Sequence, residues 1–174
     1  MGLFKQDVRC NSILNECKVM SIYNELTDID IRNKNILIRE DLNVPIKNNK
    51  IINDARIKAA IPTISYALSK GANVGIISHL GRPTEGKFDS KQSLKIVAER
   101  LSEVLNKKVF FEEQPLDTKS PEYKNKLTLF ENTRFLVGEK SGDEKLAKKI
   151  IKNCDVFVMD AFGASHRKHA STYT

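Results

Sequence analysis

The sequence predicts an α/β fold: one doubly wound, Rossmann-like domain with a mostly parallel sheet and helices on both faces. Three observations lead there. Short apolar runs rich in β-branched residues alternate with segments of helical period. The runs are continuously apolar rather than alternating, as strands covered on both faces are. No repeat, low-complexity tract or linker divides residues 21–174. A chain of 174 residues suits one domain that buries about two-thirds of its unfolded surface.

Asn35–Arg39 (NILIR) reads as the first strand and runs into the loop EDLNVP. Asn53 or Asp54 is placed to cap a helix over Arg56–Lys70. That helix ends at Gly71, the residue type suited to a left-handed stop. Pro62 lies inside it and predicts a kink or a late start. Asn73–Ser78 (NVGIIS) is the next strand, followed by the polar loop HLGRPTEGKFDSKQ. Ser93–Asn106 is a Ser-capped helix with Leu94, Val97, Leu101, Val104 and Leu105 on one face. Lys108–Phe111 and Leu127–Phe130 are short strands, Asp143–Lys152 a Lys-rich helix, and Asp155–Met159 the last strand.

Lys plus Arg is 29 against 22 Asp plus Glu, a net charge of +7 that favours anionic partners of any kind. The apolar share of 40% is enough for a core. No apolar run approaches the ~20 residues of a membrane span, so no membrane partner is expected. Cys10, Cys17 and Cys154 form no C-x-x-C pair, which speaks against a disulfide framework or zinc ribbon and for a reducing, cytoplasmic setting. Residues 1–19 lack a secretory signal, and Gln6 stands where a myristoylation signal needs Ser or Thr. They read as a poorly ordered extension of unknown role, ahead of a domain over residues 20–174.

In an open parallel sheet, ligands bind outside the carboxyl ends of the strands. The segments beyond those ends carry Asp41-Leu42-Asn43, His79-Leu80-Gly81-Arg82, Glu131-Asn132-Thr133-Arg134 and Ser165-His166-Arg167. Arg56 stands in the first turn of the first helix and faces the same rim. Arginine offers planar, bidentate donors matched to phosphate and carboxylate. Asp41 and Asn43 are placed to bond a hydroxyl. The rim therefore predicts a small ligand with more than one negative charge. Lys145, Lys148, Lys149 and Lys152, by contrast, read as a solvated helix face.

Three other readings were weighed against the same residues. Gly81–Lys87 (GRPTEGK) imitates a phosphate loop and Val156–Asp160 (VFVMD) its magnesium-holding strand, which makes a P-loop NTPase the remote alternative. Phe88 stands where a magnesium-binding hydroxyl belongs, Pro83 removes a backbone donor, and the helix cap comes late, at Ser93. His166 and His169 are three apart, yet no Cys or carboxylate completes a metal set, so no metal is expected. No basic stretch is interleaved with aromatics, so nucleic acid is not an expected partner.

Five motifs in order resemble one family. They are R-x-D-x-N-V-P at Arg39–Pro45, D-A-R-I at Asp54–Ile57, S-H-L-G-R-P at Ser78–Pro83, E-N-x-R-F at Glu131–Phe135 and D-x-F-x-x-D-A-F-G-x-x-H-R at Asp155–Arg167. Together they resemble the amino-terminal half of phosphoglycerate kinase. The resemblance implies a transferase of glycolysis that moves a phosphoryl group between 1,3-bisphosphoglycerate and ADP, usually as a monomer. It implies that this half holds 3-phosphoglycerate. Magnesium-bound ATP or ADP would belong to the half missing here, leaving a truncated chain inactive alone, with a separate nucleotide-binding half as a candidate partner. The alternative is a non-catalytic phosphometabolite-binding module.

Residue by residue, the resemblance implies that Asp41 and Asn43, with Leu42 between them, hold the glycerate hydroxyl. Arg56 would sit by the transferring phosphoryl group as the catalytic residue. His79, Leu80, Gly81 and Arg82 would touch the substrate, and Arg134 and Arg167 its 3-phosphate, with His166 a lesser contact. Glu40 replaces the small or apolar residue usual in the first motif. Facing the site it would weaken anion binding, but as the strand neighbour of Asp41 it should point the other way.

Overall fold

The computed structural model describes residues 7–10 and 25–172, except 117, 119, 120, 122, 124 and 125. The strands are β1 (Asp7–Cys10), β2 (Asn35–Arg39), β3 (Ile46–Lys47), β4 (Lys50–Ile51), β5 (Asn73–Ile77), β6 (Phe110–Glu112), β7 (Leu127–Phe130) and β8 (Val156–Met159). The helices are α1 (Ala55–Ser69), α2 (Lys95–Leu105), α3 (Glu144–Ile150) and the short α4 (Phe162–Ser165). One sheet has the order β1-β8-β2-β5-β7-β6. Its strands are parallel except β1, which pairs antiparallel with the edge of β8. β1 lies in the segment that the sequence reading set outside the fold. The rest of residues 1–19 lies outside the described residues.

Period-two alternation gives each strand two buried faces. Ile36, Ile38, Val74, Ile76, Leu127, Leu129, Val156 and Val158 pack with Ile57, Ala60, Ile64 and Ala67 of α1 and Val97, Ala98 and Leu101 of α2. Leu37, Ile77 and Phe130 face the other way, onto Leu146, Ala147 and Ile150 of α3. Helices thus cover both faces, as the apolar runs predict. Gly75 sits where this second layer closes tightest: a Cβ there would lie 2.9 Å from the Phe130 ring and 3.1 Å from Leu37.

The helix termini show how side chains shape the elements. α1 starts at Ala55 and carries Pro62 in its interior, so its start is early rather than late. Asn53 Oδ1 accepts the Ala55 N–H at 2.8 Å. The Asp54 carboxylate instead binds Arg100 on α2, at 2.6 Å, and Lys58, at 2.9 Å. α2 starts two residues after Ser93, because Glu131 beyond β7 reaches back to its first turn. The Glu131 carboxylate accepts the Ser93 hydroxyl at 2.7 Å and the Leu94 N–H at 2.9 Å. That buried tie fixes the end of β7 to the start of α2. Asp143 caps α3 by accepting the Leu146 N–H at 2.7 Å. Among the described residues, no helix is long and apolar enough to cross a membrane.

Candidate functional site

The carboxyl ends of β8, β2, β5 and β7 lie side by side, so the segments that follow them share one rim. β2 ends in Arg39, which is 1% exposed and turns toward the α3 face. Its Nε donates to Ser171 Oγ at 3.1 Å, Nη1 to the Glu40 carbonyl at 2.6 Å and Nη2 to His79 Nδ1 at 3.2 Å. A guanidinium only donates, so His79 Nδ1 is the acceptor and the ring proton sits on Nε2. Burial, then Arg39, Arg134, Arg167 and Arg56, push His79 down to about 3. The ring is therefore a neutral donor at neutral pH.

The loop after β2 faces the loop after β5. Asp41 is ion-paired to Arg56 Nη1, and Arg56 remains half exposed. Asn43 Oδ1 accepts the Gly81 N–H at 2.9 Å. Gly81 has φ +62°, which strains any larger residue, and a Cβ there would lie 2.3 Å from Gln92 Oε1 and displace that side chain. That same Gln92 oxygen accepts the Arg82 N–H at 2.8 Å. Leu42 and Leu80 are buried, and their amides bond Ser78 Oγ and Asn132 Oδ1. They enter the site as packing beneath it.

Asn132, past the end of β7, holds three segments at once. Its Nδ2 donates to the carbonyls of Leu80 and Gln92, both at 2.8 Å. Its Oδ1 accepts the Leu80 N–H at 3.3 Å and the Arg134 N–H at 3.1 Å. Arg134 Nη1 then reaches the Gly81 carbonyl at 3.0 Å. Among the described residues, the buried Arg134 Nε has no hydrogen-bond partner. Burial, then Arg167, lower Arg134 from its usual value, Glu139 opposes, and Arg82 adds to the lowering. An orphaned buried donor costs about 1–3 kcal/mol, which an anion bound beside it would relieve.

Arg167 is half-buried, and His169 lies near it. Burial, then Arg134, Arg167 and Arg39, lower His169 from its usual value. Mutual repulsion thus places Arg39, Arg56, Arg82, Arg134, Arg167, His79 and His169 in one electrostatic neighbourhood. Two of these, Arg39 and His169, go beyond the sequence-predicted set. The available signals were an Arg closing a strand of otherwise buried residues and a second His two positions after Arg167. His166 is exposed, just past the end of α4. α4 stops at Ser165, so His166 and His169 do not share a helical face. Among the described residues, no group of three or more His, Cys, Asp or Glu is placed to hold a metal.

The phosphate-loop imitation fails on geometry. The amides of Gly81, Arg82, Gly86 and Lys87 bond Asn43, Gln92, the Phe135 carbonyl and the Thr84 carbonyl. They therefore converge on protein atoms rather than on a common anion. α2 begins at Lys95, well past Lys87. Asp160, the imitation magnesium ligand, accepts the Thr63 hydroxyl at 2.5 Å and sits against Glu40.

Comparison with known proteins points one way. The family model described as phosphoglycerate kinase matches residues 26–174. A phosphoglycerate kinase of Desulfovibrio desulfuricans is 51% identical over 148 residues, which cover 85% of this chain and 38% of that protein. The structure of phosphoglycerate kinase from Coxiella burnetii superposes with a TM-score of 0.79 at 48% identity, over 84% of this chain and 37% of that one. The crystal structure of phosphoglycerate kinase from Pyrococcus horikoshii gives 0.71 at 35% identity, over 84% of this chain and 38% of that one.

Proposed function

This chain belongs to the phosphoglycerate kinase family, and on that premise we propose that its rim is the 3-phosphoglycerate site of such an enzyme. One observation supports this above the others. Side chains from four separate segments repel one another at one sheet edge, and one of them, Arg134, keeps a buried donor unpaired. A ligand carrying both a phosphate and a carboxylate would offset that repulsion. In this reading Arg134 and Arg167 hold the 3-phosphate, and Arg39, buried and bonded to protein through each of its nitrogens, sets their background charge. Asp41 and Asn43 take the hydroxyl. His79 offers a neutral N–H, and Arg82 closes the exposed side.

The reaction proposed is phosphoryl transfer between 1,3-bisphosphoglycerate and ADP. In the reverse direction the attacking carboxylate is already ionised at neutral pH, so no general base is required. The work left to the protein is positioning and charge stabilisation. Arg56 suits that role: it is half exposed and held by an ion pair to Asp41. Arg56→Ala should lower kcat about 100-fold or more in an assembled enzyme, on the scale of other lost charge-stabilising donors.

The chain spans 38% of the length of the Desulfovibrio relative. The proposal assigns magnesium nucleotide to the family's remaining length, and the cytoplasm as the compartment. Water must be kept from the acyl phosphate, which calls for closure between two bodies. An NMR titration with 3-phosphoglycerate tests the site: shifts should concentrate at Arg56, His79, Arg134 and Arg167. Shifts spread over the α3 lysines, or none at all, would defeat it. With ATP and 3-phosphoglycerate the 174 residues alone should give no turnover, and adding a separately expressed nucleotide-binding portion should restore it. Turnover without that addition would refute the division of labour.

A further inference from the structure

Seven cationic or imidazole side chains drawn to one rim need something to hold them in register. Repulsion alone would drive the segments apart, and each sits on a different connection. Glu139 stands at the place where that restraint is required. It is fully buried, at 0% exposure, in the turn between β7 and α3. Both its carboxylate oxygens are engaged by one residue: Oε2 accepts the Ser171 N–H at 3.0 Å and Oε1 accepts the Ser171 hydroxyl. Its backbone carbonyl accepts the Ala170 N–H at 2.9 Å. The segment bearing Arg167 and His169 is thus pinned to Glu139 by three hydrogen bonds.

The same residue reaches the other cationic segments. Glu139 itself closes the turn that carries Arg134: its N–H donates to the Leu136 carbonyl at 3.3 Å, and the Leu136 N–H donates to the Thr133 carbonyl at 3.0 Å. Ser171 Oγ also accepts from Arg39 Nε at 3.1 Å, which links Arg39, Ser171 and Glu139 in a chain. The Glu139 charge supports the charged forms of both Arg39 and Arg134. Burial raises the Glu139 carboxyl from its usual value, while Ser171 and Arg39 oppose that rise. One buried group therefore touches or neutralises the supports of Arg39, Arg134, Arg167 and His169.

We propose that Glu139 is the positioning residue of the anion site, tying the Arg167–His169 segment and the Arg134 turn to Arg39 from beneath. The proposal rests on the 3-phosphoglycerate reading for its ligand and on hydrogen bonds alone for the tie. It makes an unusual demand about sign. A negative charge under a cationic site weakens anion binding if charge is all that matters, so its removal should tighten binding. A tie acts the other way: removing it lets the arginines separate, and binding weakens.

The test compares the full chain with Glu139→Ala, which deletes both side-chain hydrogen bonds to Ser171 together with the charge. Calorimetry with 3-phosphoglycerate should show binding weakened about 10-fold, the scale of lost supporting groups at other charged sites. The ligand-free protein supplies a second readout, the NMR titration of His169. Loss of the tie carries His169 into water, and its pKa rises toward 6.5. Loss of a mere charge leaves the ring in place among the arginines, and its pKa falls further. Equal or tighter binding, or a falling His169 pKa, overturns the proposal. If the unaltered chain binds no 3-phosphoglycerate, the functional reading fails, and the direction of the His169 shift still decides the role of Glu139. If Glu139→Ala does not fold, Ser171→Ala takes its place in both measurements, with the same signs required.

Discussion

Arg39 and Glu40 are neighbours in sequence and equally hidden, at 1% and 3% exposure, yet they build opposite environments. Arg39 turns toward the α3 face, where Ser171, the Glu40 carbonyl and His79 each accept from one of its three nitrogens and Glu139 lies behind. Glu40 turns toward α1 and meets Asp160, which is also held by Thr63. Burial, then Asp160, push Glu40 well above its usual value. Burial likewise raises Asp160. Two carboxyls so placed disfavour the doubly ionised state. One strand end thus keeps a charge on one side and suppresses it on the other. Burial is the same on both sides; the supply of opposite charge and hydrogen-bond partners differs. It also accounts for the acidic residue in the first motif: Glu40 points away from the rim, and burial beside Asp160 disfavours its charge.

That contrast can be broken most directly at Arg39. Arg39→Met strands Glu139 in the interior, and breaking a buried pair in this way costs about 3–5 kcal/mol. Urea unfolding measures it, and a loss too small to move the midpoint would mean Arg39 is not the keystone of its side.

The pH dependence of stability sharpens the contrast, because the two sides have opposite signs. The folded His79 sits at about 3 against the usual 6.5, so its contribution is full above 6.5 and is lost as pH falls toward 3. Inside that window the slope is up to about 1.4 kcal/mol per pH unit. Glu40 is raised above 4.5, so its contribution is full below 4.5 and is lost as pH rises through the raised value. His79→Gln should flatten the acid limb of a stability profile, and Glu40→Gln the alkaline limb. Identical profiles for the two variants would erase the distinction.

A smaller effect is expected at Asn132. Asn132→Ala leaves the Leu80 N–H and C=O without their buried partner, a loss of about 1–3 kcal/mol. It should also weaken 3-phosphoglycerate binding, since Gly81 and Arg134 lose a common support. The smallest effect belongs to the solvated lysines. Lys148→Ala on α3 should change stability by less than about 0.5 kcal/mol and leave binding untouched. A large change there would show that net charge, not placement, attracts the anion.

Much of this was legible before any coordinates. The apolar runs NILIR, NVGII, LTLF and VFVM are strands within a residue of their expected bounds, because both faces of each are covered and continuous hydrophobicity follows. Arg56, Arg82, Arg134 and Arg167 were legible because they follow strand ends or open a helix. Asn132 was visible within a motif, but its grip on Leu80 and Gln92 spans 52 and 40 positions and has no local signature. Glu139 had no signal at all: its partner Ser171 lies 32 positions away. The strand pairing of Asp7–Cys10 was missed because an edge strand needs only one neighbour and carries a weak pattern of its own.

What the sequence determined by itself is the succession of strands and helices and the identity of the segments at the carboxyl rim. Side-chain periodicity, capping and turn preferences act over a few residues, so they can be read in order along the chain. What only the tertiary structure decided is which buried groups are favoured in their charged form and which are not: Arg39 supported by Glu139, His79 held neutral, Glu40 and Asp160 both pushed up by burial. Those states depend on desolvation and on Coulomb energy between residues such as Arg39 and Ser171, 132 positions apart. Distance in space sets both, and distance in space is fixed only when the chain has folded.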